Sequence, residues 1–425
     1  MRSLKSRLPA LICALMLAFA AFPVSSAQIS PSFEIIARNL FMSKSAVAGT
    51  EITFTAEDFD LTFGAKQKSI TISSIPDKSI GRLIVGSTEA AIGQTVKRSS
   101  FGKIKFVPTS IIESESSFAL TGDSNHSYNV VCSLYLLPTL NSAPTTKLVN
   151  DKFFNVNALS NVSYYGSMRA VDPENDLLRY EVISPPKKGT ISVTDPNHGG
   201  YKYTPITDFS GKDSFEYIVF DKYGNRSTKT TVKINVERPA KQIFYADLND
   251  HWAQTSAIKL YNEDIMRGFI VDGIYVFRPN DNISRAEFLT IAMMAAGYTV
   301  KGNSVSTHFI DNAAIPDEYR GYVAAALKLG FISGAQSNGG YVFNPNSAIT
   351  RAEAAVMIDN IIGLPDPAIR AVFADNDSVP AWAADAIYAL NETGILTGMS
   401  DGYMSPHAEL TRAQSAKIIC GVLEL

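Results

Sequence analysis

The chain has little cysteine, little histidine and almost no tryptophan, and each shortage excludes something. Three cysteines occur in 425 residues. Cys13 falls in an N-terminal leader. Cys132 and Cys420 are far apart, so a disulfide framework is excluded and both read as small buried apolar residues. The five histidines (126, 198, 251, 308 and 407) show no metal-binding spacing such as His-Glu-x-x-His. A phosphate-cradling glycine loop is absent as well. The expectation is a protein that is not an enzyme and needs no resident cofactor. An excess of one charge is also missing. Lys and Arg number 38 against 41 Asp and Glu, a formal −3, which leaves no footprint for nucleic acid. Beyond the leader, no apolar run reaches the roughly 20 residues that span a bilayer.

The features that are present begin with that leader. Arg2, Lys5 and Arg7 precede an apolar stretch from Leu8 to Phe22, and Ser25-Ser26-Ala27 offers small residues for cleavage. Residues 1–27 are therefore expected to be a signal peptide, leaving a mature chain that is secreted and has no membrane contact. Length alone predicts about three domains in the remainder.

Residues 28 to about 237 are rich in Thr, Ser, Val, Ile, Tyr and Phe, in short alternating runs broken by Gly, Pro and Asp. "EITFTAEDF", "SITISSI", "GRLIVG" and "KIKFVP" read as strands, as do "LRYEVI", "GTISVT", "YKYTP", "SFEYIVF" and "TTVKINV". That spacing predicts antiparallel β-sandwiches. "ISSIPDKSIGRLIV" is echoed by "YEVISPPKKGTISV", which predicts two units of one plan, at 28–141 and 142–237, joined at Asn141-Ser142-Ala143-Pro144. Within the second unit, Asp172, Glu174, Asn175 and Asp176 cluster oxygen ligands as calcium sites do. A plain Asp-Pro-Glu-Asn turn explains the same residues. Asp172, Glu174 and Asp176 are the candidate calcium ligands.

After Arg238-Pro239 the spacing turns helical and a long repeat begins, in units at 238–300, 301–364 and 365–425. Each copy has an aromatic-x-Asp opening: Tyr245-Ala246-Asp247, Phe309-Ile310-Asp311 and Phe373-Ala374-Asp375. A first helix comes after it, carrying Trp252 in copy one and Trp382 in copy three; copy two has Glu318 and Tyr319 there. Next come an aromatic turn ending in Pro ("GIYVFRP", "GGYVFNP", "DGYMSP") and a second helix. That helix opens with Ser284-Arg285-Ala286-Glu287, Thr350-Arg351-Ala352-Glu353 or Thr411-Arg412-Ala413-Gln414. Ser or Thr with Glu or Gln three residues on is a capping box. The arginine is the odd member, because a cation in the first turn sits at the positive end of the helix.

The repeats resemble the S-layer homology family, cell-wall anchoring modules of bacterial surface proteins. The second sandwich, through "NSAP", "VDPENDLLRYEV" and "DFSGKDSFEYIVFDKYGN", resembles bacterial cadherin-like and immunoglobulin-like tandem domains. The first resemblance implies a pseudo-threefold helical bundle whose inter-repeat grooves bind a secondary cell-wall polysaccharide, often bearing a ketal-linked pyruvate. On this reading the first-turn arginine joins the unpaired N–H groups of the helix to receive a carboxylate. Arg285, Arg351 and Arg412 become the candidate anion contacts. Asp247, Asp311 and Asp375 either bind sugar hydroxyls, orient the arginines or cap the first helix. Trp252 and Trp382 either present a ring to sugar or belong to the core.

The expected architecture is multidomain: two all-β antiparallel sandwiches, then an α-helical pseudo-threefold bundle. The expected function is non-covalent attachment to the wall, at the cell surface, with the sandwiches displayed outward toward other surface proteins or glycans. Two alternatives keep the anchor. One makes residues 28–237 a carbohydrate-active enzyme or accessory binding module; the other makes the chain a self-assembling lattice protein.

Overall fold

The computed structural model describes residues 41–123, 129–147, 149, 151–300, 306–368, 370–371, 373–399 and 402–425. The leader expected at 1–27 lies outside the described residues, as does the start of the first sandwich.

The first sandwich runs β1 (Phe41–Val47), β2 (Ile52–Thr53), α1 (Ala56–Phe63), β3 (Ser69–Ser74), β4 (Gly81–Val85) and β5 (Thr88–Glu89). It continues with β6 (Thr95–Lys97), β7 (Ile104–Pro108), β8 (Ser114–Gly122) and β9 (Val130–Leu137). One sheet has the order β1-β9-β8-β3-β6 and the other β2-β7-β4-β5. Alternation decides which face is inside: Val130, Cys132, Leu134 and Leu136 of β9 are fully buried. They pack with Phe54, Phe59, Phe101, Phe106 and Phe118. "EITFTAEDF" does not form one strand. Thr55 accepts the Asp58 N–H while Asp58 accepts the Thr55 N–H, a complete capping box that starts α1 instead.

The second sandwich runs β10 (Asn155–Leu159), β11 (Tyr164–Ser167), β12 (Arg179–Ser184), β13 (Gly189–Asp195), β14 (Gly200–Pro205), β15 (Gly211–Phe220) and β16 (Thr230–Glu237). Its sheets have the orders β10-β16-β15-β12 and β11-β14-β13. Tyr201, Tyr203, Phe215 and Tyr217 fill the space between them. Neither sandwich is wholly antiparallel. β1 pairs in parallel with β9, and β10 with β16. The first strand of each unit thus lies beside the last and points the same way, which carries the chain from one pole of the unit to the other.

The two sandwiches meet at the turn 221–225. Tyr135 and Tyr223 pack edge to face with centroids 5.2 Å apart, and Arg226 pairs with Glu57 at 2.7 Å. Gly224 is left-handed, with φ +87°, and an added Cβ would lie 1.8 Å from the Ser43 carbonyl oxygen. Both the backbone and the space demand glycine. Gly224→Ala should therefore separate the sandwiches while leaving each folded. Small-angle scattering should show a larger radius of gyration at unchanged far-UV circular dichroism; an unchanged radius would contradict the close approach.

The helical region contains α2 (Gln254–Asn262), β17 (Phe269–Val271), β18 (Ile274–Val276), α3 (Arg285–Ala295), α4 (Asp317–Leu329) and β19 (Ala335–Ser337). β20 (Gly340–Val342), α5 (Arg351–Ile362), α6 (Ala384–Glu392) and α7 (Arg412–Leu423) complete it. The first helix of each copy ends on a left-handed residue: Asp264 at φ 57°, Gly330 at 78° and Gly394 at 76°. The three copies share one core, which includes Phe277, Phe288 and Phe343.

At its centre the segments preceding α3, α5 and α7 join in a closed triangle. Ile283 N–H donates to Leu410 O, Leu410 N–H to Ile349 O, and Ile349 N–H to Ile283 O, at 3.0, 2.9 and 3.3 Å. All three side chains are fully buried. Among the described residues no helix is long and apolar enough to cross a membrane.

Candidate functional site

The opening turns of α3, α5 and α7 bring each arginine to the next repeat. Thr350 accepts the Glu353 N–H, and Glu353 returns a carboxylate oxygen to the Thr350 N–H at 3.0 Å. Thr411 and Gln414 make the same box. Ser284 accepts the Glu287 N–H, and there Glu287 sends its carboxylate elsewhere, to Arg412.

The remaining first-turn amides are not vacant. Arg285 N–H donates to Ser347 O, Arg351 N–H to Ala408 O and Arg412 N–H to Asp281 O, at 2.8–2.9 Å. Ala286, Ala352 and Ala413 donate likewise to Pro345, Pro406 and Pro279. Carbonyls of the adjacent repeat thus occupy the positive helix ends. The expected anion cradle of free backbone amides is not formed.

The guanidinium groups are also engaged. Each Nε donates to the carbonyl two residues before the proline of the neighbouring aromatic turn: Arg285 to Phe343, Arg351 to Met404 and Arg412 to Phe277, at 3.1, 2.7 and 2.9 Å. Arg351 and Arg412 are only 4% and 3% exposed. Arg285 pairs with Glu353 at 3.1 Å, and Arg412 pairs with Glu287 at 2.5 Å. Arg412 also reaches Arg267 O at 2.8 Å and lies over the rings of Phe269 and Phe277. In place of exposed cations waiting for ligand, the structure has inter-repeat staples. A first-turn cation is tolerated because a buried fork can satisfy several carbonyls at once.

The staples are not equivalent. In both acid-paired seams the partner is the glutamate three residues after the N-cap of the next repeat's second helix, Glu353 or Glu287. The position that would serve Arg351 is Gln414, which is uncharged and gives its oxygen to the Thr411 N–H. Among the described residues no carboxylate forms an ion pair with Arg351. It bonds Met404 O, Thr397 O and the Met404 sulfur. Burial pushes its pKa down to about 10, opposed only by the field of Asp375. The Gln for Glu exchange in the third box was the sequence signal of this asymmetry.

The side chains of Asp247, Asp311 and Asp375 cap no helix. Each carboxylate accepts two successive backbone N–H groups of its own aromatic turn, Phe277 and Arg278, Phe343 and Asn344, or Met404 and Ser405, at 2.7–3.0 Å. The second residue of each pair is left-handed, with φ of 50–58°. The aspartates therefore fix the turn whose carbonyl receives the arginine, and position the arginine through the backbone. Trp252 and Trp382 are 39% and 60% exposed, so neither is core. Copy two has Tyr319 here, partly buried against the shared core.

Residues 244–289, 311–355 and 372–416 match the model of the S-layer homology domain. The chain carries three S-layer homology domains. Residues 141–235, the second sandwich, match a bacterial Ig domain. Among relatives, the surface-layer 125 kDa protein of Lysinibacillus sphaericus is 39% identical over 106 residues, 24% of this chain and 8% of that protein. An amylopullulanase of Thermoanaerobacterium thermosulfurigenes is 26% identical over 266 residues, 61% of this chain and 13% of that protein. This chain spans only a small part of either relative. The fibronectin(III)-like modules of Clostridium thermocellum CbhA align over 48% of this chain and 95% of theirs, with 12% identity and a TM-score of 0.21.

Ahead of the S-layer homology domains, the Ig domain holds a carboxylate cluster that differs from the expected one. Oxygens of Asp172, Asp176 and Asp221 lie within 4.8 Å of one another. Glu174 is not a member; it is exposed and accepts from the Ser142 N–H and hydroxyl. Asp221, distant in sequence, was missed as a ligand although it begins the "DKYGN" stretch at the sandwich junction. Asp172 and Asp221 are each 5% exposed. Asp172 Oδ1 accepts the N–H groups of Glu174 and Asp176, while its buried Oδ2 has no partner. Burial raises the pKa of both, and each acid's charge adds to it: Asp176 and Glu174 act on Asp172, and Asp172 on Asp221. A hard cation is the group such a set of oxygens fits.

Proposed function

We propose that the three S-layer homology domains hold the chain without covalent bonds to an acidic secondary wall polysaccharide, and that the Arg351 seam reads its negative charge. This makes the protein a secreted component of the cell surface that carries its two sandwiches outward. The observation that carries the reading is the lone buried arginine. Arg285 and Arg412 are neutralised within the bundle, whereas Arg351 keeps an uncompensated charge, which is costly in a desolvated place and is relieved by a carboxylate such as that of a pyruvyl ketal. The exposed Trp382 offers a ring face to the same glycan.

Gln414→Glu separates binding from folding. The new carboxylate should pair with Arg351 as Glu353 and Glu287 pair with their arginines, so the bundle should melt no lower than wild type. Retention of the full chain on purified wall material should nevertheless fall about tenfold, the equivalent of roughly 1.4 kcal/mol. Wall material stripped of pyruvate should retain wild type and variant equally. Undiminished retention of the variant on intact wall would remove Arg351 from the binding site.

A second reading concerns the Ig domain. We infer that Asp172, Asp176 and Asp221 hold calcium at the junction of the sandwiches, supported by the unpartnered, buried Asp172 Oδ2. When bound, the ion would neutralise three converging carboxylates. Asn141 links this cluster to the joint, donating to Asp176 at 2.6 Å and accepting from Asn225 at 2.7 Å.

A further inference from the structure

A cavity of about 350 Å³ lies between the second sandwich and the S-layer bundle, bounded by β10 and β11 on one side and by α2 and α7 on the other. Its walls are fixed by direct contacts. Lys202 pairs with Asp250 at 2.6 Å, Thr255 donates to Ser163 O at 3.1 Å, and Leu159 and Val162 pack on Ile258. The volume is within the range of small-ligand sites, about 300–1,000 Å³.

Its charge is one-sided. Among the described residues, Lys152, Arg169, Lys259 and Lys417 line it, against the single carboxylate of Glu424, which pairs with Lys259. Arg169 and Lys417 form no ion pair with a carboxylate among the described residues. Among the described residues Lys417 makes one hydrogen bond, a long 3.4 Å bond to Tyr165 O, and it stands over the ring of Tyr164. Its side chain has accessible surface, yet its surroundings lower its pKa through burial, as expected of a group facing a cavity. Arg169 lies over Phe153 and keeps a buried Nε without a hydrogen-bond partner. Burial lowers the pKa of Arg169 and Lys152 too. Cations converging where water is partly excluded repel one another and have lost hydration. An anion in their midst reverses both penalties. Beside them, Tyr165 and Trp252 supply aromatic surface and Asn155 and Thr194 neutral polar groups, the mixture that suits a sugar ring.

We propose that this cavity binds an acidic saccharide, a sugar unit bearing a carboxylate or phosphate, with Lys152, Arg169 and Lys417 meeting the charge and Tyr165 and Trp252 the ring. The site is distinct from the Arg351 seam and exists only while the Ig domain is docked on the bundle. The Ig domain then supplies half of a binding site in addition to acting as a spacer.

The full chain with Trp382→Phe leaves Trp252 as its one tryptophan and thus as the reporter. Titration with cellobiouronic acid or glucose 6-phosphate should give a saturable fluorescence change with at least one of them, and cellobiose none. Lys417→Gln should weaken the response about tenfold, a loss expected of a charge-assisted contact. Lys152→Gln should weaken it as well, which guards against misfolding of either variant alone. Raising the salt concentration should weaken binding in all of them. Absence of saturation with both anions, or undiminished affinity in the two lysine variants, would overturn the proposal. Gln414→Glu should leave this titration unchanged, so the two readings fail separately. A shift in that variant would place the sugar at Arg351 and overturn the cavity site.

Discussion

Arg412→Ala should lower the unfolding free energy of the helical bundle by about 3–5 kcal/mol, the range for removing one member of a buried ion pair. The guanidinium closes the seam between the third and first repeats. It satisfies Phe277 O and Arg267 O, pairs with Glu287 and fills the space over Phe269. Truncation leaves the carbonyls of the buried Phe277 and of Arg267, and the partly exposed Glu287 carboxylate, without their donor, and a buried orphan costs on the order of 1–3 kcal/mol. Urea unfolding tracked at 222 nm should show the lower midpoint with an unchanged slope, the mark of altered stability alone. Arg285→Ala should cost less, because the Arg285 side chain is 19% exposed and part of its energy is screened. A loss below about 1 kcal/mol for Arg412→Ala would show that the staple contributes no more than a surface pair.

Calcium should stabilise the second sandwich by about 2.7 kcal/mol once present at a hundred times its dissociation constant. Calorimetry should show a transition that rises with calcium, falls with a chelator, and becomes indifferent to both in Asp221→Asn. Failure of the wild-type transition to respond would reject the site. The pH dependence has a definite sign. Without the ion, Asp172 and Asp221 have pKa values raised above their unfolded ones. The stability they contribute is complete below the unfolded values and is lost as pH rises through the raised ones. The calcium-free chain should therefore be less stable at neutral pH than in mild acid as far as these groups go. Calcium requires the ionised carboxylates, so its benefit should vanish as pH falls through the same range. The difference between the two curves should be widest near neutrality.

The parts of this molecule that were legible in its sequence are those set by neighbours a few residues apart. Thr350 and Glu353 form the box their spacing prescribes, and Gly330 and Gly394 end helices where a left-handed residue is wanted. Cys132, read as a small apolar residue, is fully buried. One local signal was outweighed. "EITFTAEDF" alternates well enough to look like a strand, yet Thr55 and Asp58 three residues apart start a helix within it.

The site was legible in its residues and not in its roles. Arg285, Arg351 and Arg412 do act at helix starts, but their partners lie 53–135 residues away, beyond any periodicity. Asp247 bonds amides 30 and 31 residues on, at the far end of a hairpin. Asp221 joins Asp172 and Asp176 only because β12 and β15 pair in one sheet. Sequence could name the chemical groups, and the topology decided which of them meet.

The triangle of Ile283, Ile349 and Leu410 has a consequence for how such a module can grow or shrink. An open stack of repeats accepts another copy at its end, because each unit rests only on its neighbours. Here the last unit returns to the first, so a fourth copy would find no free edge, and deletion of one would break two seams at once. Duplication of this region can succeed only as a complete set, and a chain cut at any inner boundary should fall apart as a whole.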